Sequence, residues 1–268
     1  MPVQWLIYLP FQVLGIDLRV LNLLSATLMV VLVEHRARSG SVEAFLRLGI
    51  YPLLLSPLVL PMMHSGQVWP YWLAIQVFAF LVLDRRWIWA AAVVALAVGT
   101  RQTALIPAAS ILVALVGRTR LSEWLGAAMA GALTLAATCL PFVGSHGALQ
   151  MLFLTGPARA LANAHQQGNP SNQVATSNIL DWLGLAAWDS RVEMLLALLT
   201  LIGVRFAFRK GVGPMLAAAG VGYVMTISAN PYLHRYYYVA GLLLAGIGIA
   251  AAGGVEARRL RTQGMEVA

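Results

Sequence analysis

Apolar runs separated by short polar clusters organise the whole chain. Nine of these runs predict helices: 18–34, 46–63, 68–83, 87–99, 103–117, 123–143, 191–207, 213–229 and 236–255. Because a chain in lipid must satisfy its own backbone hydrogen bonds, such runs predict membrane helices, and they lack the strict alternation of a β-barrel. The expected fold class is an all-α integral membrane protein, a polytopic bundle of about nine transmembrane helices forming one domain over 1–268.

Arginines in the connections predict which side each helix end faces. The runs 87–99 and 103–117 are short, so they are open to interpretation as two crossings or as one bent or re-entrant pass. Two crossings place 13 of the 18 Lys and Arg residues on one side, which the positive-inside rule makes cytoplasmic. Those residues are Arg36, Arg38, Arg47, Arg85, Arg86, Arg118, Arg120, Arg205, Arg209, Lys210, Arg258, Arg259 and Arg261. We therefore expect two crossings, a multi-pass protein of the cell (inner) membrane, and a cytoplasmic C-terminal tail at about 256–268.

Composition agrees with a membrane location and narrows the partners. Hydrophobic residues make up 60% of the 268 and charged residues only 10%, with a mean hydropathy of +0.76. Soluble domains carry about 25% charged residues. The net charge of +8 is spread over short connections rather than one patch, so we expect membrane lipid and not nucleic acid as a partner. The single cysteine, Cys139, lies in an apolar run and forms no disulfide within the chain.

Polar residues are concentrated on the predicted outer side. Four of the five histidines lie there: His64, His146, His165 and His234. The longest connection, at about 144–190, combines an amphipathic stretch, "GALQMLFLTGPARALANA", with the polar "HQQGNPSNQVATSN". A loop of this length is more often functional than a simple connector.

Arg101 is the first candidate for a binding residue. It lies with Gln102 between two apolar runs, where a charged residue costs about 2.5–3.5 kcal/mol at a helix centre and less near an end. A guanidinium in such a place suits an anion such as phosphate, because its planar fork donates two parallel hydrogen bonds. The alternative is an interfacial arginine that extends to lipid headgroups.

Two further polar clusters lie on the same predicted side. Tyr232, His234 and Arg235 precede the last apolar run, where they form either an aromatic belt or part of a binding site. His64 and Gln67 lie in "HSGQ", which is either a plain turn between helices or a source of hydrogen bonds to a sugar or headgroup.

Carboxylates are scarce on that side. Asp17 and Asp189 are predicted as N-cap or first-turn acids, and Glu193 flanks Arg191. Only Asp181, in "SNILDWLG", has no basic neighbour in sequence, so it is the candidate for a catalytic base. The chain has no Cys/His metal spacing, nucleotide-binding loop or Gly-x-Ser-x-Gly elbow, so no metal ligand or cofactor is assigned.

The central run, "HSGQVWPYWLAIQVFAFLVLDRRWIWAAAVVALAVGTRQTALIPAASILVALVGRTR", resembles the GT-C superfamily of polyprenyl-phosphate-sugar-dependent glycosyltransferases, including bacterial mannosyltransferase-like members. The matching features are Gly66-Gln67, Arg85-Arg86, the Ala-rich 90–99 run, Arg101 and Pro107. The late "NPYLHRYYYVAGLLLAGIGIA" is similar to the family's aromatic and basic approach to a late helix. "YLPFQVLGIDLRVLNLLSATL" is similar to an early family helix with its preceding loop.

The resemblance implies a membrane enzyme that moves a sugar from a polyprenyl-phosphate donor to an extracytoplasmic glycan, lipid or protein acceptor. It implies that Arg101 contacts the lipid-linked phosphate, that Arg235 and His234 contact phosphate or sugar, and that the long loop closes over the acceptor. Family members carry an acidic motif in the first outer loop, as catalytic base or metal ligand, which this chain lacks. A divalent metal therefore stays open as a cofactor.

The missing acidic motif leaves several interpretations open. The chain is expected to be an N-terminally truncated form, or to receive the acid from a second chain, or to be inactive. Two other functions compete with glycosyl transfer: a flippase or transporter of lipid-linked glycans, and a non-catalytic membrane subunit. A transporter favours charges at mid-depth and broken helices in matched repeats, and no convincing internal repeat occurs here.

Overall fold

The computed structural model describes residues 2–38, 47, 50–51, 53–55, 68–140, 183–184, 189–228 and 236–265. Within them the regular structure is helical and contains no strand, which confirms the all-α prediction. The α-helices are α1 Pro2–Val13, α2 Leu18–Arg38, α3 Trp69–Leu83, α4 Trp87–Thr100, α5 Leu105–Leu115, α6 Leu121–Cys139, α7 Asp189–Ala207, α8 Val212–Ser228 and α9 Tyr236–Met265. Short 3-10 helices occupy Gln102–Ala104 and Phe208–Lys210.

Eight of the nine predicted runs overlap helices α2 to α9, and α9 continues past the predicted run 236–255 to Met265, so most of the segment predicted as a tail is helical. The ninth, 46–63, lies largely outside the described residues, as does most of the 144–190 loop. Helix α1 was not among the predicted runs, and its C-terminal half occupies residues interpreted as a loop. Pro10 is accommodated inside this helix, which packs against α4 and α6. Packing therefore outweighs the proline signal here.

The turn between α1 and α2 follows familiar capping chemistry. Gly15 has φ +67, and the Ile16 backbone N–H donates to Phe11 O at 2.8 Å, the hydrogen bond of a Schellman motif. Asp17 then caps α2, since its Oδ1 accepts from the Arg19 backbone N–H at 2.9 Å. The predicted N-cap role of Asp17 is confirmed, and Asp189 is the first residue of α7.

The helices pack so that the bundle has two distinct ends. An ion pair between Arg36 and Asp84, 2.6 Å long, joins the C-terminus of α2 to the α3–α4 turn. The α3–α4, α5–α6 and α7–α8 connections line one common pocket. We call this the arginine-rich end. Because each helix runs to the opposite end, the α4–α5 connection, the C-terminus of α8 and the N-terminus of α3 form the other, which we call the Arg101 end.

Helices α8 and α9 approach at backbone distance. A Cβ added at Gly220 would lie 2.3 Å from Ala245 N, and one at Gly248 would lie 2.3 Å from Ala217 N. Gly213 and Gly241 face the partner helix in the same way. Small residues on both helices therefore permit a contact that no larger side chain fits, as is common between membrane helices.

Large apolar side chains cover several outer surfaces of the bundle. Those exposed on α6 and α7 are Leu121, Leu125, Met129, Leu133, Met194, Leu195, Leu198, Leu199, Ile202 and Phe206. In the described part of the chain, α2 alone combines the length, 21 residues, and the apolar character to cross a membrane. Helices α3, α4, α5, α8 and most of α9 are apolar but shorter segments.

Candidate functional site

Arg101 lies where the chain reverses direction between α4 and α5. Helix α4 ends at Thr100, and Arg101 has an extended backbone with φ −149 and ψ 122. Its N–H still donates to Ala97 O at 2.8 Å, while its own carbonyl accepts from the Ala104 N–H at 3.1 Å. Arg118, near the other end of α5, shares a pocket with Arg85, which precedes α4. The runs 87–99 and 103–117 thus form two separate helices of opposite direction rather than one bent helix, an arrangement shared by two crossings and by a re-entrant pair.

A buried cluster of hydroxyl groups fixes the turn that follows Arg101. The Tyr71 hydroxyl lies 2.8 Å from the Tyr223 hydroxyl and 3.3 Å from Thr103 Oγ1, both within hydrogen-bonding reach. These groups come from α3, α8 and the 3-10 turn, three separate parts of the fold. Tyr71 and Tyr223 are buried, at 1% and 0% exposure. The cluster therefore links the Thr103 side chain, two residues beyond Arg101, to Tyr71 of α3, which in turn contacts Tyr223 of α8.

The position of Arg101 favours an anionic ligand on two counts. The Arg101 side chain is half-buried, and the residue lies directly before the 3-10 turn that leads into α5. The first N–H groups of a helix lack intrahelical acceptors and carry partial positive charge. A guanidinium and a helix N-terminus each suit a phosphate oxygen, and Arg101 precedes the N-terminus of α5 by one 3-10 turn.

One acid at this end, Asp17, already has a structural role. Arg19 Nε donates to the Asp17 carboxylate at 2.7 Å, and this hydrogen bond lowers the pKa of Asp17 below its usual value. A carboxylate with a lowered pKa that caps a helix is a weak base. Within the described residues, no group of three or more His, Cys, Asp and Glu side chains is arranged to hold a metal ion.

The remaining predicted site residues lie outside what the structure describes. They are His64, Gln67, Asp181, Tyr232, His234 and Arg235. Gln102 belongs to the 3-10 helix, and only its backbone is described. Two helices begin at the Arg101 end just after these residues: α3 at Trp69, after His64 and Gln67, and α9 at Tyr236, after Arg235. The roles given to these residues stay predictions.

Sequence reasoning missed Tyr71 and Tyr223. Each lies inside an otherwise apolar helix, and a buried tyrosine hydroxyl normally has a hydrogen-bond partner. That requirement was the available signal, but it does not identify the partner, because the two residues are 152 positions apart.

Comparison with known proteins gives no match: no family model matches the chain, and neither the curated proteins nor the solved structures contain a significantly similar one. The chemistry of the chain's own residues is therefore the basis for a function.

Proposed function

We propose that the chain is a multi-pass membrane glycosyltransferase, which moves a sugar from a polyprenyl-phosphate donor to an acceptor at the outer face. Arg101 holds the donor phosphate in this proposal. The observation that carries it is the placement of Arg101 at a helix reversal, directly before the 3-10 turn that leads into α5 and two residues from Thr103, whose hydroxyl lies 3.3 Å from that of Tyr71.

Exposed apolar surfaces support the membrane part of the proposal. Leu121, Leu125, Met129 and Leu133 recur every four residues along α6, so they form one outward stripe. Met194, Leu198 and Ile202 form a similar stripe on α7. Contiguous apolar surface of this extent is unusual on a soluble monomer and suits lipid contact. The arginine-rich end is then cytoplasmic, and the Arg101 end faces outward.

The chemistry of glycosyl transfer fits the charges at the Arg101 end. The acceptor hydroxyl attacks the anomeric carbon, the bond from that carbon to the phosphate oxygen breaks, and the polyprenyl phosphate leaves with the electron pair. Negative charge grows on the phosphate as the bond breaks. A fixed guanidinium and helix N-terminus stabilise that charge more in the transition state than in the donor. The acceptor's proton requires a base, for which Asp181 is the sequence candidate.

The test is substitution of Arg101 in the full chain. Membranes that contain equal amounts of each variant are assayed for the transfer of radiolabelled sugar from a polyprenyl-phosphate donor to an acceptor. We expect Arg101→Ala to lower transfer on the order of 100-fold, the usual effect of removing one donor to a developing anion. Arg101→Lys keeps the charge but loses the two-pronged geometry, so it should restore only a small part of the activity.

Arg191→Ala provides the matched control, because Arg191 is an exposed arginine in the first turn of α7 at the same end. We expect it to retain transfer. Full activity in Arg101→Ala would overturn the proposed role of Arg101. Movement of labelled lipid between leaflets without loss of its sugar would identify a transporter instead.

A further inference from the structure

A wide pocket at the arginine-rich end collects basic side chains from three connections. Its volume is about 890 Å³. The cations that line it are Arg85, Arg118, Arg120, Arg205, Arg209 and Lys210. Glu123 is the one carboxylate in its lining. The expectation that the basic residues avoid a common patch is therefore wrong for these six, because antiparallel packing brings alternate connections to one end of the bundle.

Aromatic and backbone contacts hold several of these cations in place. The Arg118 guanidinium lies 5.8 Å from the centre of the Phe208 ring, which packs edge-on against Trp87 at 6.2 Å. Arg205 Nη1 donates to Ala114 O at 3.3 Å, near the C-terminus of α5. These contacts occupy ring faces or single donors, so most guanidinium N–H groups are left for a ligand.

Acidic residues do not neutralise the pocket. Arg19–Asp17, Arg36–Asp84 and Arg47–Glu34 are salt bridges within the described residues, and none of these three includes a cation of the pocket. Like charges that converge in one cavity repel each other and attract an anion. Arg85 also adopts a left-handed backbone with φ 57, a conformation that is strained for a residue with a side chain.

An apolar slot begins about one helical turn from the pocket. It has a volume of about 240 Å³ and lies between α4, α5 and α6, lined by small and aliphatic residues. Trp87 and Glu123 line the pocket, while Ala91 and Ala127, four residues further along the same two helices, line the slot. Residues four apart share a helix face. Basic and apolar linings thus follow one another along the same faces of α4 and α6.

We propose that this pocket binds the phosphate headgroup of an anionic phospholipid, with an acyl chain lying along the slot. Basic pockets between helices at a membrane surface are suited to such headgroups. The slot favours a lipid over a soluble phosphate, because only a lipid carries an apolar chain next to its phosphate. The proposal does not depend on the reaction proposed for the Arg101 end.

The test compares two double variants that remove the same charge at the same end of the bundle. Arg118→Gln/Lys210→Gln changes exposed cations of the pocket, and Arg38→Gln/Arg86→Gln changes exposed cations outside its lining. The full chain in neutral detergent is titrated with phosphatidylglycerol, and binding is followed by native mass spectrometry and by thermal unfolding. Phosphatidylcholine, inorganic phosphate and glycerol 3-phosphate are the comparison ligands.

We expect phosphatidylglycerol to bind and raise the unfolding temperature, and the other three ligands to have little effect. Each pocket cation removed should weaken binding about fivefold, the equivalent of roughly 1 kcal/mol per basic residue at an anionic surface. The affinity for phosphatidylglycerol should thus fall about 25-fold in the pocket double variant and less than about twofold in the control pair. Unchanged unfolding temperature without ligand shows that both variants fold.

Three outcomes would overturn the proposal. Equal weakening in the two double variants would mean diffuse attraction of the whole surface rather than a pocket. An equal response to inorganic phosphate or glycerol 3-phosphate would identify a site for soluble phosphates. No response to phosphatidylglycerol in the unsubstituted chain would exclude the lipid. None of these readouts uses sugar transfer, so failure here leaves the role of Arg101 untouched.

Discussion

The two ends of the bundle both present arginine, but the surroundings differ. At the arginine-rich end, six cations share a wide pocket with one carboxylate, and most of them are exposed. At the Arg101 end, a half-buried arginine follows a helix terminus and lies two residues from a buried hydroxyl cluster. The first end is distinguished by the number of its charges, and the second by the hydrogen-bonded turn that follows its arginine. The comparison teaches that the neighbours of an arginine, and not its charge alone, indicate what it is suited to bind.

The sharpest way to break the comparison is to loosen the hydrogen-bonded turn at the Arg101 end. Tyr71→Phe removes the hydroxyl that lies between Tyr223 and Thr103. We expect it to lower the free energy of unfolding by about 1–3 kcal/mol, because it takes a hydrogen-bond partner from a buried hydroxyl. Chemical unfolding in detergent micelles measures the change.

The double variant Tyr71→Phe/Tyr223→Phe is the control for that prediction. It removes both partners, so its loss should be smaller than the sum of the two single losses. Additive losses would show that the two hydroxyl groups do not interact. Lipid binding at the arginine-rich end should stay the same in all three variants.

A smaller effect is expected from Arg85→Gly, which should raise stability but weaken lipid binding. Glycine adopts a left-handed backbone without steric cost, so Arg85→Gly should raise the free energy of unfolding by about 1 kcal/mol. The same change removes a pocket cation and should weaken phosphatidylglycerol binding about fivefold. Arg86→Gly is the matched control, since Arg86 has φ −86 and does not line the pocket. A loss of stability in Arg85→Gly would contradict the assignment of strain.

The smallest effect concerns pH at the cap of α2. The hydrogen bonds from Arg19 lower the pKa of Asp17 from its reference value of 3.8. Its ionised form is therefore favoured by folding, and this contribution is present above that value and lost as pH falls through the lower folded pKa. Asp17→Asn keeps a capping oxygen but cannot titrate, so thermal unfolding below about pH 4 should be less acid-sensitive than in the unsubstituted chain. Identical acid sensitivity would show that Asp17 contributes nothing to it.

Much of the helical architecture was predictable because apolar runs and short basic clusters are local signals. The alternation of clusters such as Arg85-Arg86 and Arg118 also predicted which helix ends lie together, and the shared pocket agrees with it. Helix α1 escaped prediction because Pro10 weakened the local signal, and contacts with α4 and α6 outweighed it.

The candidate site was predictable only in part. Arg101 was found because a charge between apolar runs is unusual on its own. Tyr71 and Tyr223 were not, since their pairing depends on how α3 and α8 pack across 152 positions of sequence. The pocket likewise required three connections to meet in space. Local pattern identified the residue that is costly to bury, while tertiary packing decided its neighbours.

The glycine contact between α8 and α9 has a mechanical consequence. Where two helices meet through side chains, those side chains can change rotamer and let the helices slide. Gly220 against Ala245 and Gly248 against Ala217 leave no such layer. We therefore expect α8 and α9 to move as one unit. Tyr223 lies towards the Arg101 end of α8, and Val212, which lines the basic pocket, lies at its other end. A displacement of one helix should accordingly move the other with it, rather than be taken up by side chains between them.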